Sequence, residues 1–212
     1  MSYYIIKRII DILSAITLGT LFLPICIVTA VAIKLETPGP VFADIPERVG
    51  RYGKPFRLYK FRSMITNAHF LMKTDPRFKK LYEEYKQSSY KIHDDPRWTK
   101  VGKFIRKYSI DEMPQLINVL RGEMSLVGPR AYFPDELEEQ QKKYPHTRQL
   151  VREVLSVKPG ITGYWQVSGR SEINFDKRID MDAEYARQKS ITWDMMIIIK
   201  TPWAMISAKG AV

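Results

Sequence analysis

The chain has 212 residues, enough for one domain of ordinary size with a hydrophobic core and an appendage. Its single cysteine, Cys26, excludes an internal disulfide and a cysteine-based zinc cluster, and its three histidines show no metal-ligand spacing. Any bound metal is therefore expected to be a hard, carboxylate-held Mg²⁺. The net charge of +11 favours anionic partners, which include nucleic acid, acidic lipid headgroups and phosphorylated substrates.

An uncharged, apolar segment covers residues 12–33 near the N-terminus. About 20 apolar residues suffice to cross the hydrocarbon core as a helix, so this segment predicts a membrane span. Pro24 in its middle argues against a straight helix, because proline removes a backbone donor and clashes with the preceding turn. However, proline also occurs in straight spanning helices, so a helix-break-helix hairpin and a straight span both stay open at this point.

Charged residues flank the apolar segment on both sides. Basic residues prefer the cytoplasmic face of a membrane, and a hairpin would keep both flanks on that face. We expect Asp11 to pair locally at the helix end, and the side chains of Lys7 and Arg8 to contact lipid phosphates. The basic residues after the segment are Lys34, Arg48 and Arg51.

The rest of the chain predicts a mixed α/β fold, rich in helix, with a small sheet. Residues 36–40 are rich in turn formers and lead away from the membrane segment. Short strands are expected at residues 41–42 and 56–59, with a hairpin loop at 50–55.

Helical patterns follow in four places. Residues 68–91 have a break at Asp75-Pro76, and residues 134–143 run from acidic to basic, which matches the helix dipole. Residues 146–155 form a third helix. Residues 193–208 hold an apolar run between tryptophans, which fits either a helix in the headgroup region or a helix of the core.

The adjacent carboxylates Asp111 and Glu112 form the most informative local pattern. Residues 109–112 fit the S-x-x-E capping box, so we expect a helix that starts there, runs to about Leu120 and ends at Gly122. Its predicted buried stripe is Leu116, Ile117 and Leu120. A helix cap alone would account for this acid pair, and the alternative is a catalytic site.

The surroundings of the acid pair favour a site. Arg106 precedes it, a buried strand at residues 124–127 leads into Gly128-Pro129-Arg130, and a glycine-rich turn at 158–163 leads towards Arg170. The segment 60–64 adds Lys60 and Arg62.

Such a site suits phosphoryl transfer. Arginines neutralise phosphate oxygens, a carboxylate-held Mg²⁺ bridges a diphosphate, and an aspartate attacks phosphorus to give an acyl phosphate. Because adjacent helical residues diverge by about 100°, the two carboxylates are expected to divide into a nucleophile and a metal- or proton-handling partner.

These residues resemble the monotopic phosphoglycosyl transferases, also called bacterial sugar transferases. The resemblance covers nearly the whole chain, and the combination of motifs is highly specific although no single motif is. The motifs are Lys7-Arg8-x-x-Asp11, Pro38-Gly39-Pro40-Val41-Phe42, Lys60-Phe61-Arg62-Ser63-Met64, 111–120, Ser125-Leu126-Val127-Gly128-Pro129-Arg130 and Lys158-Pro159-Gly160-Ile161-Thr162-Gly163.

The resemblance implies an Mg²⁺-dependent transfer of a sugar 1-phosphate from a UDP-sugar to undecaprenyl phosphate, with release of UMP. It implies that Asp111 is the nucleophile and forms a covalent phosphosugar intermediate, with Glu112 as its partner in metal binding or proton handling. It further implies a role near the substrate for Lys60, Arg62, Arg106, Arg130, Arg170 and Asp182.

The family also implies a topology. Residues 1–35 would be a re-entrant membrane helix broken near Pro24, and residues 36–212 a catalytic domain on the cytoplasmic face of the bacterial inner membrane, ending in an interfacial helix. The family's Ser-Pro pair is Leu23-Pro24 here, and Ala131 replaces a proline after the Gly-Pro-Arg turn. The chain resembles the minimal catalytic form, and a homo-oligomer is compatible with it.

A basic, membrane-anchored module that binds nucleic acid or acidic lipid is the competing hypothesis. The charge suits it, but the basic residues are spread along the chain without a recognition helix or an aromatic RNA-binding signature. The sequence therefore favours the transferase and predicts no nucleic-acid partner.

Overall fold

The computed structural model of the chain describes residues 2–87, 92, 94–169 and 173–206. Its longest element is helix α1, Tyr3–Glu36, which is continuous through Pro24. The hydrogen-bonded helix thus continues through Pro24 instead of ending there, and the re-entrant course of residues 1–35 stays a prediction. The physical reason for this continuity is that one proline removes a single backbone donor, while the turns on either side keep their own hydrogen bonds.

Helix α1 is apolar and largely exposed. Its most apolar stretch has a mean hydropathy of 2.4 over 18 residues, and only 11% of that stretch is buried inside the protein. Large exposed side chains such as Leu21, Val28 and Val31 line it. A helix of this length and composition is able to cross a membrane, which indicates a membrane protein.

Two small sheets form among the described residues. Strands β1, Arg48–Val49, and β2, Pro55–Phe56, are antiparallel and enclose the predicted hairpin loop. The predicted strand at residues 41–42 is only an isolated bridge between Phe42 and Phe61. Strands β3, Ser125–Val127, and β4, Gly160–Thr162, are parallel, so part of the predicted glycine-rich turn is a strand.

Nine further helices, among the residues that the structure describes, surround these sheets. They confirm the predicted helix-rich α/β class, the break at Asp75-Pro76 and the helix at residues 134–143. The sequence did not predict the helices at residues 100–107, 164–168 and 175–188. The helices are α2 Ala68–Thr74, α3 Lys79–Gln87, α4 Lys100–Lys107, α5 Gln115–Arg121, α6 Pro134–Lys143, α7 Arg148–Val154, α8 Tyr164–Ser168, α9 Phe175–Gln188 and α10 Ile191–Ile206.

Both halves of α1 pack on the rest of the protein. Ala15 joins the apolar cluster around α5 and β3, while Ile33 joins a separate cluster with Phe61 and Ile105. A third cluster holds α6, α7 and α9 together. Helix α1 is therefore part of the folded domain and contacts the domain's apolar clusters at two places, around Ala15 and around Ile33.

Helix α10 has two different faces. Asp194 and Ile197 are buried in the protein, whereas Ile199 and Trp203 are 76% and 77% exposed. One face thus packs in the core, as the core-helix interpretation predicts. The opposite face is apolar and exposed, which suits the headgroup interpretation. Its contact with a membrane surface stays a prediction.

Candidate active site

A cavity of about 640 Å³ lies beside the acid pair, within the range of typical ligand sites. Both carboxylates, Asp111 and Glu112, line it. Among the described residues that line it, cations outnumber anions, so the cavity attracts negatively charged ligands. The lining cations are Arg48, Arg57, Lys60, Arg62, Arg97, Arg106 and Arg130.

The acid pair lies in a 3₁₀ turn, Ile110–Glu112, between α4 and α5. Ser109 precedes it with a left-handed φ of 55° and makes no side-chain capping bond. The predicted capping box is therefore wrong, because Ser109 lies in the tight connection that follows α4, and α5 starts only at Gln115. The backbone N–H of Phe61 donates to the carbonyl of Asp111 at 2.9 Å, which brings the segment containing Lys60 alongside the pair.

Lys60 contacts both carboxylates. Its Nζ lies 2.9 Å from Oδ2 of Asp111 and 3.2 Å from Oε1 of Glu112. Asp111 is only 2% exposed, whereas the Glu112 side chain is 38% exposed. One ammonium thus balances a buried and a half-exposed carboxylate, and the two acids have different surroundings.

The electrostatics of the pair follow from this geometry. Burial raises the pKa of Asp111 above its ordinary value, with Lys60 opposing the rise and the charge of Glu112 adding to it. Burial also acts to raise the pKa of Glu112, but Lys60, Arg130 and Arg106 outweigh it, so that pKa falls. The protein therefore keeps Glu112 ionised and makes Asp111 the more basic carboxylate.

Arg106 and Arg130 belong to segments that precede and follow the acid pair in the sequence. Arg106 belongs to the last turn of α4 and lies 5.0 Å from the Trp98 ring. Arg130 follows β3 and lies 5.6 Å from the Trp165 ring and 3.8 Å from the Glu136 carboxylate. The structure brings both together with Lys60 around one cavity, which is the grouping that the sequence predicted.

Asp182 contacts the Arg130 segment from outside the cavity. It is fully buried in α9, outside the residues that line the cavity, and accepts hydrogen bonds from the Arg130 backbone N–H at 3.1 Å and the Tyr132 hydroxyl at 2.9 Å. Burial raises the pKa of Asp182 to about 7 against these hydrogen bonds. Its geometry is that of a group that positions Arg130.

Arg62 lines the cavity, but its guanidinium is hydrogen-bonded to the segment that follows α1. Its three nitrogens donate to the carbonyl of Pro40 at 2.6 Å, the hydroxyl of Thr37 at 2.8 Å and the carbonyl of Thr37 at 3.0 Å. These bonds give Arg62 a structural role beside the site. The predicted contact residue Arg170 lies outside the described residues.

The charged residues at the start of α1 bind protein groups. Lys7 Nζ lies 2.8 Å from the buried Asp194 carboxylate, and Arg8 donates to the carbonyls of Val119 and Leu120 at the end of α5. Asp11 is buried and accepts bonds from Ser125 and Leu126, so the expected local pairing is wrong. Burial explains the difference, because a buried carboxylate needs strong donors and β3 offers two of them.

Sequence reasoning missed Arg48, which it counted only as a basic flank of the membrane segment. The structure places Arg48 in β1, on the wall of the cavity and next to the Arg130 segment. It also missed Arg178, a fully buried cation whose Nη2 lies 2.9 Å from Glu136. Neither has a local sequence signal, because each contact joins distant parts of the chain.

The residues that could hold a divalent metal are the two carboxylates of the pair. Among the described residues, no three or more Asp, Glu, His or Cys side chains form a group suited to a metal ion. Mg²⁺ is commonly held by one or two carboxylates that are completed by substrate phosphates and water. The donor set of Asp111 and Glu112 fits that mode of binding.

Comparison with known proteins gives a consistent result. A model of the family described as bacterial sugar transferase matches residues 2–208. The UDP-galactose-lipid carrier transferase of Erwinia amylovora is 38% identical over 97% of this chain and 41% of its own length. The UDP-glucose:undecaprenyl-phosphate glucose-1-phosphate transferase of Escherichia coli (strain K12) is also 38% identical, over 98% of this chain and 41% of its own length.

The chain spans about two fifths of the length of those two relatives. It spans 87% of the exopolysaccharide production protein ExoY of Rhizobium meliloti, with 36% identity over 97% of this chain. The similarity therefore covers the same region in relatives of different length. Since the family match extends over nearly every residue, the chain belongs to the bacterial sugar transferase family.

Proposed function

We propose that this protein transfers a sugar 1-phosphate from a UDP-sugar to undecaprenyl phosphate and releases UMP, as the first membrane step of a polysaccharide or glycoconjugate pathway. The observation that carries the proposal is the contact of the buried Asp111 carboxylate with Lys60 in a cation-lined cavity, on a domain packed against a long apolar helix. The names of the relatives, which include UDP-glucose:undecaprenyl-phosphate glucose-1-phosphate transferase, support the same substrate classes.

The proposed first step is attack by an Asp111 carboxylate oxygen on the sugar-bearing phosphorus. A bond forms between that oxygen and phosphorus, the bond from phosphorus to the bridging oxygen breaks, and the bridging oxygen leaves with UMP. In the second step an oxygen of the lipid phosphate attacks the same phosphorus and displaces the Asp111 carboxylate. The enzyme then returns to its starting state, and the product is a lipid diphosphosugar.

Each neighbouring residue has a part in this mechanism. Lys60 stabilises the ionised form of Asp111 against the cost of burial, and Arg106 and Arg130 neutralise non-bridging phosphate oxygens. Mg²⁺ held by Glu112 and Asp111 would balance the charge that develops on the leaving phosphate. Asp182 fixes the backbone from which Arg130 projects.

The membrane geometry supports access to a lipid substrate. We infer that α1 enters and leaves the membrane by the cytoplasmic face, because both of its ends contact one domain. Near the start Lys7 binds Asp194, and at the end the Glu36 carboxylate accepts the backbone N–H groups of Lys100 and Val101. A straight span would separate these ends by the thickness of the hydrocarbon core.

The activity is tested with detergent-purified protein, undecaprenyl phosphate and a panel of UDP-sugars, with UMP release as the readout. We expect repeated turnover only with Mg²⁺, the lipid and one sugar class, and no more than one UMP per protein molecule when the lipid is left out. Asp111→Asn should abolish release, and Asp44→Asn, which removes an exposed carboxylate from the same cavity wall, should not. Without the lipid, the wild type should gain the mass of a sugar phosphate. UMP release by Asp111→Asn at the wild-type rate would refute the nucleophile assignment.

The topology is tested with single cysteines in a Cys26→Ser background. Ser2 and Lys34 are exposed at the two ends of α1, so each is replaced in turn by cysteine. A membrane-impermeant thiol reagent added to intact cells should label neither site, and both should react after permeabilisation. Labelling of one site alone in intact cells would mean that α1 is a straight span.

A further inference from the structure

Arg48 lies on the cavity wall and is held rigidly there. Its guanidinium carbon lies 3.2 Å from the centroid of the Phe133 ring, and its Nη1 donates to the carbonyl of Ala131 at 3.0 Å. Its Nε is buried and has no hydrogen-bond partner among the described residues. A buried donor without a partner costs about 1–3 kcal/mol, so a ligand oxygen that reaches this N–H on binding would recover that cost.

The charge around Arg48 is also unbalanced. Three other cavity cations have carboxylate partners, since Lys60 contacts the acid pair, Arg97 contacts Asp95 and Arg130 lies 3.8 Å from Glu136. No ion pair within 4.0 Å joins Arg48 to a carboxylate among the residues that the structure describes. Burial and, second to it, repulsion by Arg130 lower the pKa of Arg48 to about 10, so the Arg48 guanidinium is still charged at neutral pH.

The guanidiniums of Arg48 and Arg130 repel each other, and the Glu136 carboxylate, 3.8 Å from Arg130, offsets this repulsion only in part. Arg48 and Arg130 face the same cavity, and Ala131 accepts the bond from Arg48 one residue after Arg130. The arrangement is thus a preformed anion site beside Asp111, at the end of the β1 hairpin. Planar guanidinium groups bind phosphate and carboxylate oxygens through paired N–H donors, and phosphate is the anion that the proposed substrates carry.

We propose that Arg48, together with Arg130, binds a phosphate group of the substrate in this cavity. The proposal rests on the proposed function and adds a substrate-binding residue to it. The phosphate has two sources with the same chemistry, the diphosphate of the nucleotide sugar and the phosphate of the lipid. The stacking on Phe133 orients the guanidinium before the ligand arrives, so little entropy is lost on binding.

The test measures binding without turnover, by calorimetry of detergent-purified protein with Mg²⁺. Inorganic pyrophosphate represents the donor diphosphate, and farnesyl phosphate represents the lipid phosphate. Arg48→Gln removes the charge, and Arg48→Lys keeps the charge but loses the planar donor pair. Arg152→Gln is the matched control, because Arg152 is an exposed cation of α7 outside the residues that line the cavity.

We expect Arg48→Gln to weaken the binding of at least one probe by about tenfold or more, the usual effect of losing a hydrogen bond between charged groups. Arg48→Lys should show a smaller loss for the same probe, and Arg152→Gln should bind both probes within about twofold of the wild type. A loss for pyrophosphate alone assigns Arg48 to the donor, and a loss for farnesyl phosphate alone assigns it to the acceptor. The KM for the corresponding substrate should rise in parallel.

Wild-type affinity for both probes in a folded Arg48→Gln variant would overturn the proposal and leave Arg48 a purely structural clamp. If that variant fails to fold, Arg48→Lys decides, and unchanged affinity for both probes again overturns it. A protein that binds pyrophosphate through Arg48 but releases no UMP from any UDP-sugar would refute the proposed function and retain the anion site.

Discussion

Asp11 of the membrane helix accepts hydrogen bonds from the Ser125 hydroxyl, with both carboxylate oxygens within 2.9 Å of it. The same carboxylate accepts the backbone N–H of Leu126 at 2.9 Å. Both donors belong to β3, the strand that leads into Gly128-Pro129-Arg130. The membrane helix is thereby tied to the segment that carries a phosphate-binding arginine of the proposed site.

Replacement of Asp11 by alanine should destabilise the protein, because Asp11 is 3% exposed and its loss leaves two buried donors in β3 without their acceptor. We expect a loss of about 1–3 kcal/mol. The measurement is thermal unfolding in detergent. Thr17→Val changes an exposed polar residue of the same helix and is the control, which should leave Tm unchanged. Equal Tm values for the two variants would show that the contact contributes nothing.

This contact also shows what sequence alone cannot supply. Asp11 and Ser125 are 114 positions apart, and such a pair leaves no local pattern. By contrast α6 was predicted with its observed bounds, Pro134–Lys143, because a proline at the first turn and acidic-to-basic order are local signals. Gly122 ends α5 with φ of 79°, as predicted, for the same reason.

The site itself was predicted in part. The motifs identified the residue types of the site. The S-x-x-E pattern wrongly predicted a helix start at Ser109, because the sequence did not reveal that α4 ends just before it, at Lys107. The predicted buried stripe was also partly wrong. Ile117 and Leu120 are 38% and 43% exposed, while Asn118 and Val119 are fully buried. Helical periodicity identifies an apolar face but does not say whether that face meets a core or a membrane.

The contact between Lys60 and Asp111 should be visible as a coupling in stability. Lys60→Met leaves a buried carboxylate without its cation, so we expect Tm to fall and the free energy of unfolding to drop by about 1–3 kcal/mol. The double variant Lys60→Met/Asp111→Asn should recover most of this loss, because the uncompensated charge is gone.

Thermal unfolding of the two single variants and the double variant gives this coupling without any activity measurement. Lys80→Met removes an exposed cation from α3 and controls for the change in net charge. Strictly additive losses in the double variant would show that the ammonium and the carboxylate do not interact.

The buried Asp182 should make stability depend on pH. Its pKa is about 7 in the folded protein and near 3.8 in the unfolded chain, so between these values the folded state holds a proton that the unfolded state has released. Its contribution to stability is therefore present below about pH 4, declines as pH rises to about 7, and stays lost above that pH. Asp182→Asn removes this penalty, and its amide oxygen still accepts the bonds from Arg130 and Tyr132.

We expect the asparagine variant to gain stability over the wild type as pH rises, by on the order of 2–4 kcal/mol at pH 8. The measurement is Tm from pH 4 to 8 for the wild type, Asp182→Asn and Asp180→Asn. Asp180 is an exposed carboxylate in the same helix and should show no such trend. A difference between wild type and Asp182→Asn that does not change with pH would contradict the raised pKa.

The close approach of β3 and β4 should make Gly128 intolerant of any side chain. A Cβ at this position would overlap the Lys158 carbonyl oxygen and lie 2.8 Å from the Gly160 nitrogen, and both are backbone atoms of the β4 segment. Relief of this overlap requires the strands to separate, which would also displace the Arg130 turn. We expect Gly128→Ala to lower the free energy of unfolding by about 1–3 kcal/mol and to remove most of the UMP release.

Gly19→Ala is the matched control, since among the described residues no atom beyond the backbone of its own helix lies within 4 Å of the added methyl group. Its Tm should equal or exceed that of the wild type. A Gly128→Ala variant with the Tm and activity of Gly19→Ala would show that the two strands are free to move apart without consequence for the site.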